Sequence, residues 1–291
     1  MKEVTGSFAD LLAQLEKACQ FWGTLGYNLA VTRIGTYERE LRTLIEIGQE
    51  SRRNLDIDKR GRGILMLSEI AEFLYASEIA VSRPHLAHSP RIARIFSGPD
   101  LALEEITSEH ANPRNTLLEL SFAAAVEAAG LTADLSGTTD VKTMFKGVPI
   151  DVECKRPQNL KKAETAIRKA AKQLGARKSP GGPGIILVCI GKLLSEGHKG
   201  FVSEDRDSFE KKASDGVDWF IQETRRHWQN RPAVDAVMVR INVPAFIKNE
   251  SRLCHSTTFR TVARAGISAA DLRLLDEFDA AIHAGFPGVP M

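Results

Sequence analysis

The chain has 291 residues, of which 43% are hydrophobic and 26% are charged, and its formal net charge is +2. This composition is typical of a globular protein and excludes an intrinsically disordered chain. The sequence has no apolar run of about 18 residues, and its first residues lack the apolar segment of a signal peptide, so we expect a cytoplasmic protein without a membrane partner. The cysteines are too widely spaced to indicate a disulfide framework or a zinc knuckle: Cys19, Cys154, Cys189 and Cys254.

Three segments in the first hundred residues have the apolar spacing of amphipathic helices. The first follows Ser7, a candidate N-cap, and the others cover residues 36–51 and 63–81, so we predict a small helical bundle. Several prolines then interrupt the chain, and we place a domain boundary there, between a helical domain of residues 1–100 and a second domain of residues 101–291. The sequence leaves open whether the bundle binds a partner, mediates oligomerisation or contacts nucleic acid.

A further helix is predicted over residues 115–130. Leu118 and Phe122 belong to an apolar stripe, and Gly130 is a typical residue for the helix end. Thr116 and Glu119 have the spacing of a capping box, in which Glu119 would accept a hydrogen bond from a backbone N–H. The capping box would explain Glu119 as a structural residue. A role for Glu119 in a functional site stays open as the alternative.

The stretch DVKTMFKGVPIDVECKRP, residues 140–157, predicts a β-hairpin that turns at residues 146–147. A two-residue turn there places Asp140 opposite Glu153. Side chains alternate between the faces of a strand, so one face of the hairpin is apolar. The other face is polar and is not expected to belong to the core; it carries Asp140, Lys142, Asp151, Glu153 and Lys155.

The opposed carboxylates of Asp140 and Glu153 predict a bound cation, because like charges at directly opposed positions destabilise a sheet. One or two carboxylates with water suffice to hold Mg²⁺, so the expected cofactor is Mg²⁺ or Mn²⁺. Lys155 follows on the same face, where its ammonium could stabilise developing charge or orient a water. Two alternatives stay open: a solvated polar face whose lysines and acids pair with one another, and Asp134 in place of Asp140 as the ligand.

Asp140 followed by Glu153-Cys154-Lys155 at the end of the next strand resembles the active-site signature of the PD-(D/E)xK nuclease superfamily, which has the restriction-endonuclease-like fold. The most similar members have a Glu-Cys-Lys-Arg-Pro run, found here at residues 153–157. The resemblance covers about residues 112–242. Thr139 stands where the signature has proline, and no Gln-x-x-x-Tyr pattern follows, which leaves the subfamily open.

The resemblance implies an α/β protein with an αβββαβ core and a mixed central sheet. It also implies that Asp140 and Glu153 bind the catalytic metal and that Lys155 positions the attacking water. In this superfamily a glutamate on the preceding helix often completes the site, and Glu119 is the matching residue. Catalytic roles are therefore expected for Asp140, Glu153, Lys155 and Glu119.

A basic helix is predicted directly after the hairpin, over residues 160–176. Residues 155–178 contain nine basic side chains and one acidic side chain, Glu164, although the whole chain has a net charge of only +2. Such a cluster beside a metal-binding hairpin predicts contacts with nucleic-acid phosphates, with DNA favoured over RNA; the alternative is a solvated helix face. The candidate contacts are Arg156, Lys162, Lys169, Lys172 and Gln173.

The remaining elements agree with the implied core. Residues 184–190 form a continuous apolar run typical of a buried central strand, and a helix over residues 207–228 and a strand over residues 233–243 follow. The rest is predicted to be a peripheral helical extension, with Ser268 and Asp271 as a capping box.

Three functional hypotheses follow from the sequence. The first is a metal-dependent nuclease, most simply a DNA endonuclease of the restriction or defence type, which could act as a homodimer. The second is a non-catalytic nucleic-acid-binding protein that retains the nuclease fold. The third is an interaction protein that acts through its N-terminal helices.

Overall fold

A seven-stranded mixed sheet lies at the centre of the computed structural model, which describes residues 7–50, 57–88, 91–100, 108–194, 201–249 and 252–285. The strand order is β1-β2-β3-β4-β6-β5, and β7 pairs with β6. The β3–β4, β4–β6 and β5–β6 pairs are parallel and the others antiparallel, which confirms the predicted α/β class and mixed sheet. The strands are β1 (Ala133–Asp134), β2 (Val141–Phe145), β3 (Val148–Lys155), β4 (Gly184–Cys189), β5 (Phe201–Ser203), β6 (Ala236–Ile247) and β7 (Arg252–Ala263).

Helices cover both faces of this sheet. They are α1 (Phe8–Thr24), α2 (Arg33–Glu50), α3 (Ile57–Ser82), α4 (Pro84–Ala87), α5 (Ser108–Ala128), α6 (Leu160–Arg177), α7 (Gly191–Leu194), α8 (Arg206–Thr224) and α9 (Ala269–Gly285). The crossover between the parallel strands β3 and β4 contains α6, as parallel pairing requires a long connection. No helix in the described ranges has the length and apolarity needed to cross a membrane.

The β2–β3 hairpin has the predicted register, which ends with Val141 opposite Val152. Its turn residues Lys146 and Gly147 both have positive φ, 51° and 77°. Two such residues give the turn a twist that matches the twist of the flanking strands. Asp140 comes one residue beyond the last pair, beside the end of β3.

The hydrophobic side chains of the sheet form two cores, one on each face. Ile185 and Leu187 point into a core shared with α1, α2, α3, α5 and α9. Ile186 and Val188 point to the opposite side, into a core formed with α6 and α8. The sheet is therefore covered on both sides by helices.

Burial of the polar face of β3 was not predicted. Asp151 and Glu153 are only 2% and 0% exposed, because α6 packs against β3. Asp151 is satisfied locally, since its carboxylate accepts hydrogen bonds from the Thr139 hydroxyl at 3.0 Å and the Ser179 N–H at 2.7 Å. The interpretation of this face as solvated is thus wrong for both acids.

The described N-terminal helices share the first of these cores with the sheet. One continuous cluster of buried side chains includes Leu11 of α1, Phe73 of α3, Phe122 of α5, Val152 of β3 and Ile282 of α9. The predicted boundary near residue 100 therefore does not separate two hydrophobic cores.

Ion pairs also connect α3 with the rest of the molecule. The Arg114 Nε atom donates to Glu69 at 2.6 Å. Arg156 and Arg240 donate to the two carboxylate oxygens of Glu72, at 2.8 and 2.6 Å. We call this set the buried network; it comprises Glu69, Glu72, Arg33, Arg114, Arg156 and Arg240.

Two local predictions are wrong. The α5 helix begins at Ser108, so Thr116 and Glu119 lie in its interior and cannot form the predicted capping box. Residues after 243 were predicted to be helical only, but β7 precedes α9; it pairs with β6 along its whole length, and this long-range pairing decides its structure. The Ser268 cap is confirmed, since its hydroxyl accepts the Asp271 N–H at 3.0 Å.

Candidate active site

The hairpin brings Asp140, Glu153 and Lys155 together at the end opposite its turn. The Lys155 Nζ atom donates to Asp140 Oδ2 at 3.1 Å and to Glu153 Oε2 at 2.9 Å. Asp140 Oδ2 also accepts the backbone N–H of Cys154 at 2.8 Å, which fixes the aspartate across the hairpin. The chain thus positions all three residues through one short piece of local structure.

Two residues from outside the hairpin complete this cluster. Glu119 reaches it from the middle of α5, and Arg91 reaches it from the segment before α5. The Arg91 Nη1 atom lies 3.3 Å from Glu119 Oε2 and 3.7 Å from Asp140 Oδ1, and Nη2 donates to the Gly137 carbonyl at 3.4 Å. We call the five side chains the candidate site: Arg91, Glu119, Asp140, Glu153 and Lys155.

The candidate site opens to solvent on one side. The Glu153 side chain is fully buried, and those of Lys155, Asp140 and Glu119 are 15%, 16% and 12% exposed. Arg91 is 31% exposed. Arg91 is therefore the most accessible of the five side chains and Glu153 the least.

Burial dominates the ionisation of the two glutamates. It raises the pKa of Glu119 to about 8, and repulsion from Asp140 adds to this, while Arg91 and Lys155 act in the opposite direction. Burial likewise raises the pKa of Glu153 to about 7, although Lys155 lowers it. Three carboxylates share only two basic side chains, which do not offset the burial of the two glutamates, so both pKa values rise.

The residues present fit a divalent cation. Carboxylate oxygens are the ligands that Mg²⁺ and Mn²⁺ prefer. Glu153 Oε1 is buried and has no hydrogen-bond partner in the described part of the chain, which leaves it available as a ligand. Asp140 and Glu153 would hold the ion, with Glu119 nearby. Within the same ranges, no three His, Cys, Asp or Glu side chains are already arranged around a common point, and Lys155 bridges two of the carboxylates instead.

The predicted nucleic-acid contacts separate into two groups. Lys162, Lys169 and Lys172 are exposed on α6. Gln173 is half-buried, and its Oε1 atom is buried without a hydrogen-bond partner among the described residues. Arg156 belongs to the buried network, where Glu72 holds its guanidinium, so its predicted contact with phosphate is corrected to a structural role.

The exposed side of α6 is strongly basic. Its apolar side, which includes Ile167 and Leu174, packs into the second core. We call the exposed set the basic face; it comprises Lys161, Lys162, Arg168, Lys169, Lys172 and Arg177. These side chains are oriented so that they can reach a polyanion.

Arg91 was not predicted as a site residue, because a single arginine in a proline-containing connection has no spacing relation to a motif. Its partner Glu119 is 28 residues away in the chain. The alternative ligand Asp134 is exposed on β1, and its carboxylate accepts the N–H of Ser136 at 2.7 Å. Asp140 is therefore the aspartate that contacts Lys155.

Comparisons with protein-family models, curated proteins and solved structures gave no match to the chain. The function is accordingly inferred from the chemistry of the candidate site.

Proposed function

We propose that this protein is a metal-dependent nuclease with a restriction-endonuclease-like core, and that it hydrolyses phosphodiester bonds in DNA as an endonuclease of the restriction or defence type. One observation carries the proposal. Lys155 lies within 3.1 Å of both Asp140 and Glu153 at the end of a hairpin, as the resemblance to the PD-(D/E)xK signature implies.

The order of elements supports the same proposal. The series α5, β1, β2, β3, α6 and β4 follows the αβββαβ order that the resemblance implies. Glu119 comes from the first helix of this series, and the basic face comes from the second. Helix and hairpin residues that are distant in sequence thus contribute to one cluster.

A divalent ion held by Asp140 and Glu153 would lower the pKa of a bound water and neutralise charge on the phosphate. Lys155 remains a cation, because Asp140 and Glu153 raise its pKa although burial lowers it. Its ammonium can therefore orient the attacking water and stabilise negative charge in the transition state. As the new bond forms between the water oxygen and phosphorus, the bond from phosphorus to the leaving oxygen breaks; the proton that the water loses passes to solvent, and the leaving oxygen takes up a proton from solvent.

The basic face supports nucleic acid as the substrate. Lysine and arginine side chains that contact phosphates release counterions, so such binding weakens steeply as salt rises. Lys161, the first residue of the face, lies six positions after Lys155, the last residue of β3. Backbone contacts of this kind position a strand without reading its sequence.

A cleavage assay tests the proposal. Wild-type protein is incubated with supercoiled plasmid, linear duplex, single-stranded DNA and RNA in Mg²⁺, Mn²⁺ or EDTA. We expect cleavage of DNA that EDTA abolishes, and a loss of about 100-fold or more in Lys155→Ala and Asp140→Ala. Lys146→Ala is the matched control, since Lys146 pairs with Glu277 at the opposite end of the hairpin. Equal cleavage by all variants, or no cleavage of any substrate, contradicts the proposal.

One observation favours a second candidate, a non-catalytic nucleic-acid-binding protein. Lys155 already bridges Asp140 and Glu153, and Arg91 pairs with Glu119. A site whose charges are partly paired within the protein needs no metal to fold. Salt-sensitive DNA binding without cleavage in any metal would support this candidate over the nuclease.

A further inference from the structure

Arg91 contacts two carboxylates of the candidate site at longer distances than the arginines of the buried network do. Its contacts with Glu119 and Asp140 are 3.3 and 3.7 Å long. Charge-assisted hydrogen bonds are usually about 2.7–2.9 Å. In the buried network, the Arg114 Nε atom lies 2.6 Å from Glu69 Oε1. Both carboxylate contacts of Arg91 are therefore longer than an optimal charge-assisted hydrogen bond, and a closer anion would compete with them.

Arg91 is also the most exposed side chain of the candidate site. Its side chain is 31% exposed, compared with 16% for Asp140 and 12% for Glu119. A planar guanidinium matches the two oxygens of a phosphate as well as it matches a carboxylate. A phosphodiester that approaches the carboxylates can therefore also contact the Arg91 guanidinium.

Arg91 and a divalent ion would compete for the negative charge of the same carboxylates. In the metal-free protein the guanidinium offsets part of the charge of Glu119 and Asp140. A divalent ion at Asp140 and Glu153 would neutralise the carboxylates in place of the guanidinium. Its positive charge would also repel Arg91. The guanidinium would then be attracted to phosphate.

We propose that Arg91 is a catalytic residue with two alternative partners: it pairs with Glu119 and Asp140 in the metal-free site, and it binds the substrate phosphate once a divalent ion occupies the carboxylates. This inference rests on the proposed function. It makes metal binding and DNA binding mutually reinforcing, and by linkage each ligand strengthens the other by the same factor.

Two binding measurements test this coupling without cleavage. The first is Mn²⁺ binding to the free protein, followed by electron paramagnetic resonance. The second is the affinity for a short fluorescent DNA duplex with and without Ca²⁺, used as a divalent ion that stands in for the catalytic one. The variants are Arg91→Ala and Arg91→Lys, and Arg94→Ala is the control because Arg94 is an exposed arginine of the same segment.

For Arg91→Ala we expect Mn²⁺ to bind the free protein about tenfold more tightly, because a competing cation is gone. We also expect the Ca²⁺-dependent gain in DNA affinity to be largely lost. Arg91→Lys keeps the charge but not the two parallel hydrogen bonds, so it should bind Mn²⁺ as wild type does and lose part of the gain. Arg94→Ala should match wild type in both measurements.

The outcomes separate this inference from the proposed function. If wild type binds Mn²⁺ and cleaves DNA but Arg91→Ala has unchanged Mn²⁺ affinity or the full Ca²⁺-dependent gain, only the role of Arg91 is overturned. If wild type binds no Mn²⁺ and cleaves nothing, the proposed function fails and the inference fails with it. Should Arg91→Ala unfold, Arg91→Lys with the full gain in DNA affinity would still overturn the role.

Discussion

The buried network and the candidate site are both clusters of carboxylates and basic side chains. The pKa values of their glutamates nevertheless shift in opposite directions. Burial alone would raise the pKa of Glu69, but Arg114 and Arg33 outweigh it and lower that pKa to about 2. The pKa of Glu72 is lowered in the same way, since Arg156 and Arg240 outweigh its burial.

The glutamates of the candidate site are also buried, and their pKa values rise. Burial and Asp140 bring the pKa of Glu119 to about 8, and Glu153 follows at about 7. The difference lies in the number of partners. Two glutamates meet four arginines in the buried network, whereas three carboxylates meet two basic side chains in the candidate site.

The glutamates of the buried network are fully paired with arginines, whereas the carboxylates of the candidate site outnumber its basic side chains. Carboxylates with enough arginines are satisfied and gain nothing from a further cation. When buried carboxylates outnumber the basic side chains around them, their ionised form is unfavourable unless a cation binds. Perturbed pKa values of the second kind concentrate at functional sites.

The largest effect is expected on breaking the buried network. Replacing Glu69 with glutamine leaves Arg33 and Arg114 buried without their charged partner. Removing one member of a buried ion pair costs about 3–5 kcal/mol. Urea unfolding of Glu69→Gln should show this loss in the free energy of unfolding.

The surface variant Glu38→Gln is the control for this measurement. Glu38 pairs with Arg42 at 2.9 Å, but both side chains are substantially exposed. Exposed pairs contribute about 0.2–1 kcal/mol. Equal losses in the two variants would show that the buried network does not stabilise the fold more than a surface pair.

The pH dependence of stability gives the next largest effect. The folded-state pKa of Glu69 is about 2, below its ordinary value of 4.5. Its contribution is therefore fully present above pH 4.5 and is lost as pH falls toward 2. A shift of this size corresponds to a loss on the order of 3 kcal/mol.

Urea unfolding between pH 7 and pH 2 measures this loss. Wild type should lose more stability across the window than Glu69→Gln, because the variant no longer has this carboxylate to protonate. Parallel stability curves for the two proteins would mean that Glu69 is not held ionised by its arginines.

The local part of the candidate site was predictable from sequence, and the long-range part was not. The period-two pattern of β2 and β3 fixes which residues share a face, so Asp140, Glu153 and Lys155 followed from the turn at residues 146–147. The contact of Arg91 with Glu119 depends on the packing of separate segments, which no spacing pattern records.

The buried network and the basic face show why the number of basic residues in a sequence stretch does not predict which of them are exposed. Arg156 and Lys162 lie close together in the same basic stretch of the sequence. In three dimensions Arg156 turns inward to Glu72 and Lys162 stays exposed. Phosphate contacts were predicted from the number of basic residues in this stretch. Glu72 on α3 neutralises one of these residues, Arg156, and this contact cannot be read from the sequence.

The smallest effect, and the sharpest test of the comparison, is expected for Glu119→Gln. Its carboxylate is disfavoured in the folded protein at neutral pH, because its pKa is raised to about 8. Glutamine removes that cost, so we expect a gain of about 1 kcal/mol in the free energy of unfolding in EDTA. Mn²⁺ binding should weaken at the same time, because one carboxylate has left the candidate site.

Glu127→Gln is the matched control on the same helix. Glu127 is buried, and its carboxylate accepts hydrogen bonds from Arg83 at 2.9 Å and from the Ala133 N–H at 2.7 Å. Its loss should destabilise the protein and leave Mn²⁺ binding unchanged. If Glu119→Gln destabilised the protein as Glu127→Gln does, Glu119 would belong with the glutamates that hold the fold together, because a carboxylate that awaits a cation must cost stability while the cation is absent.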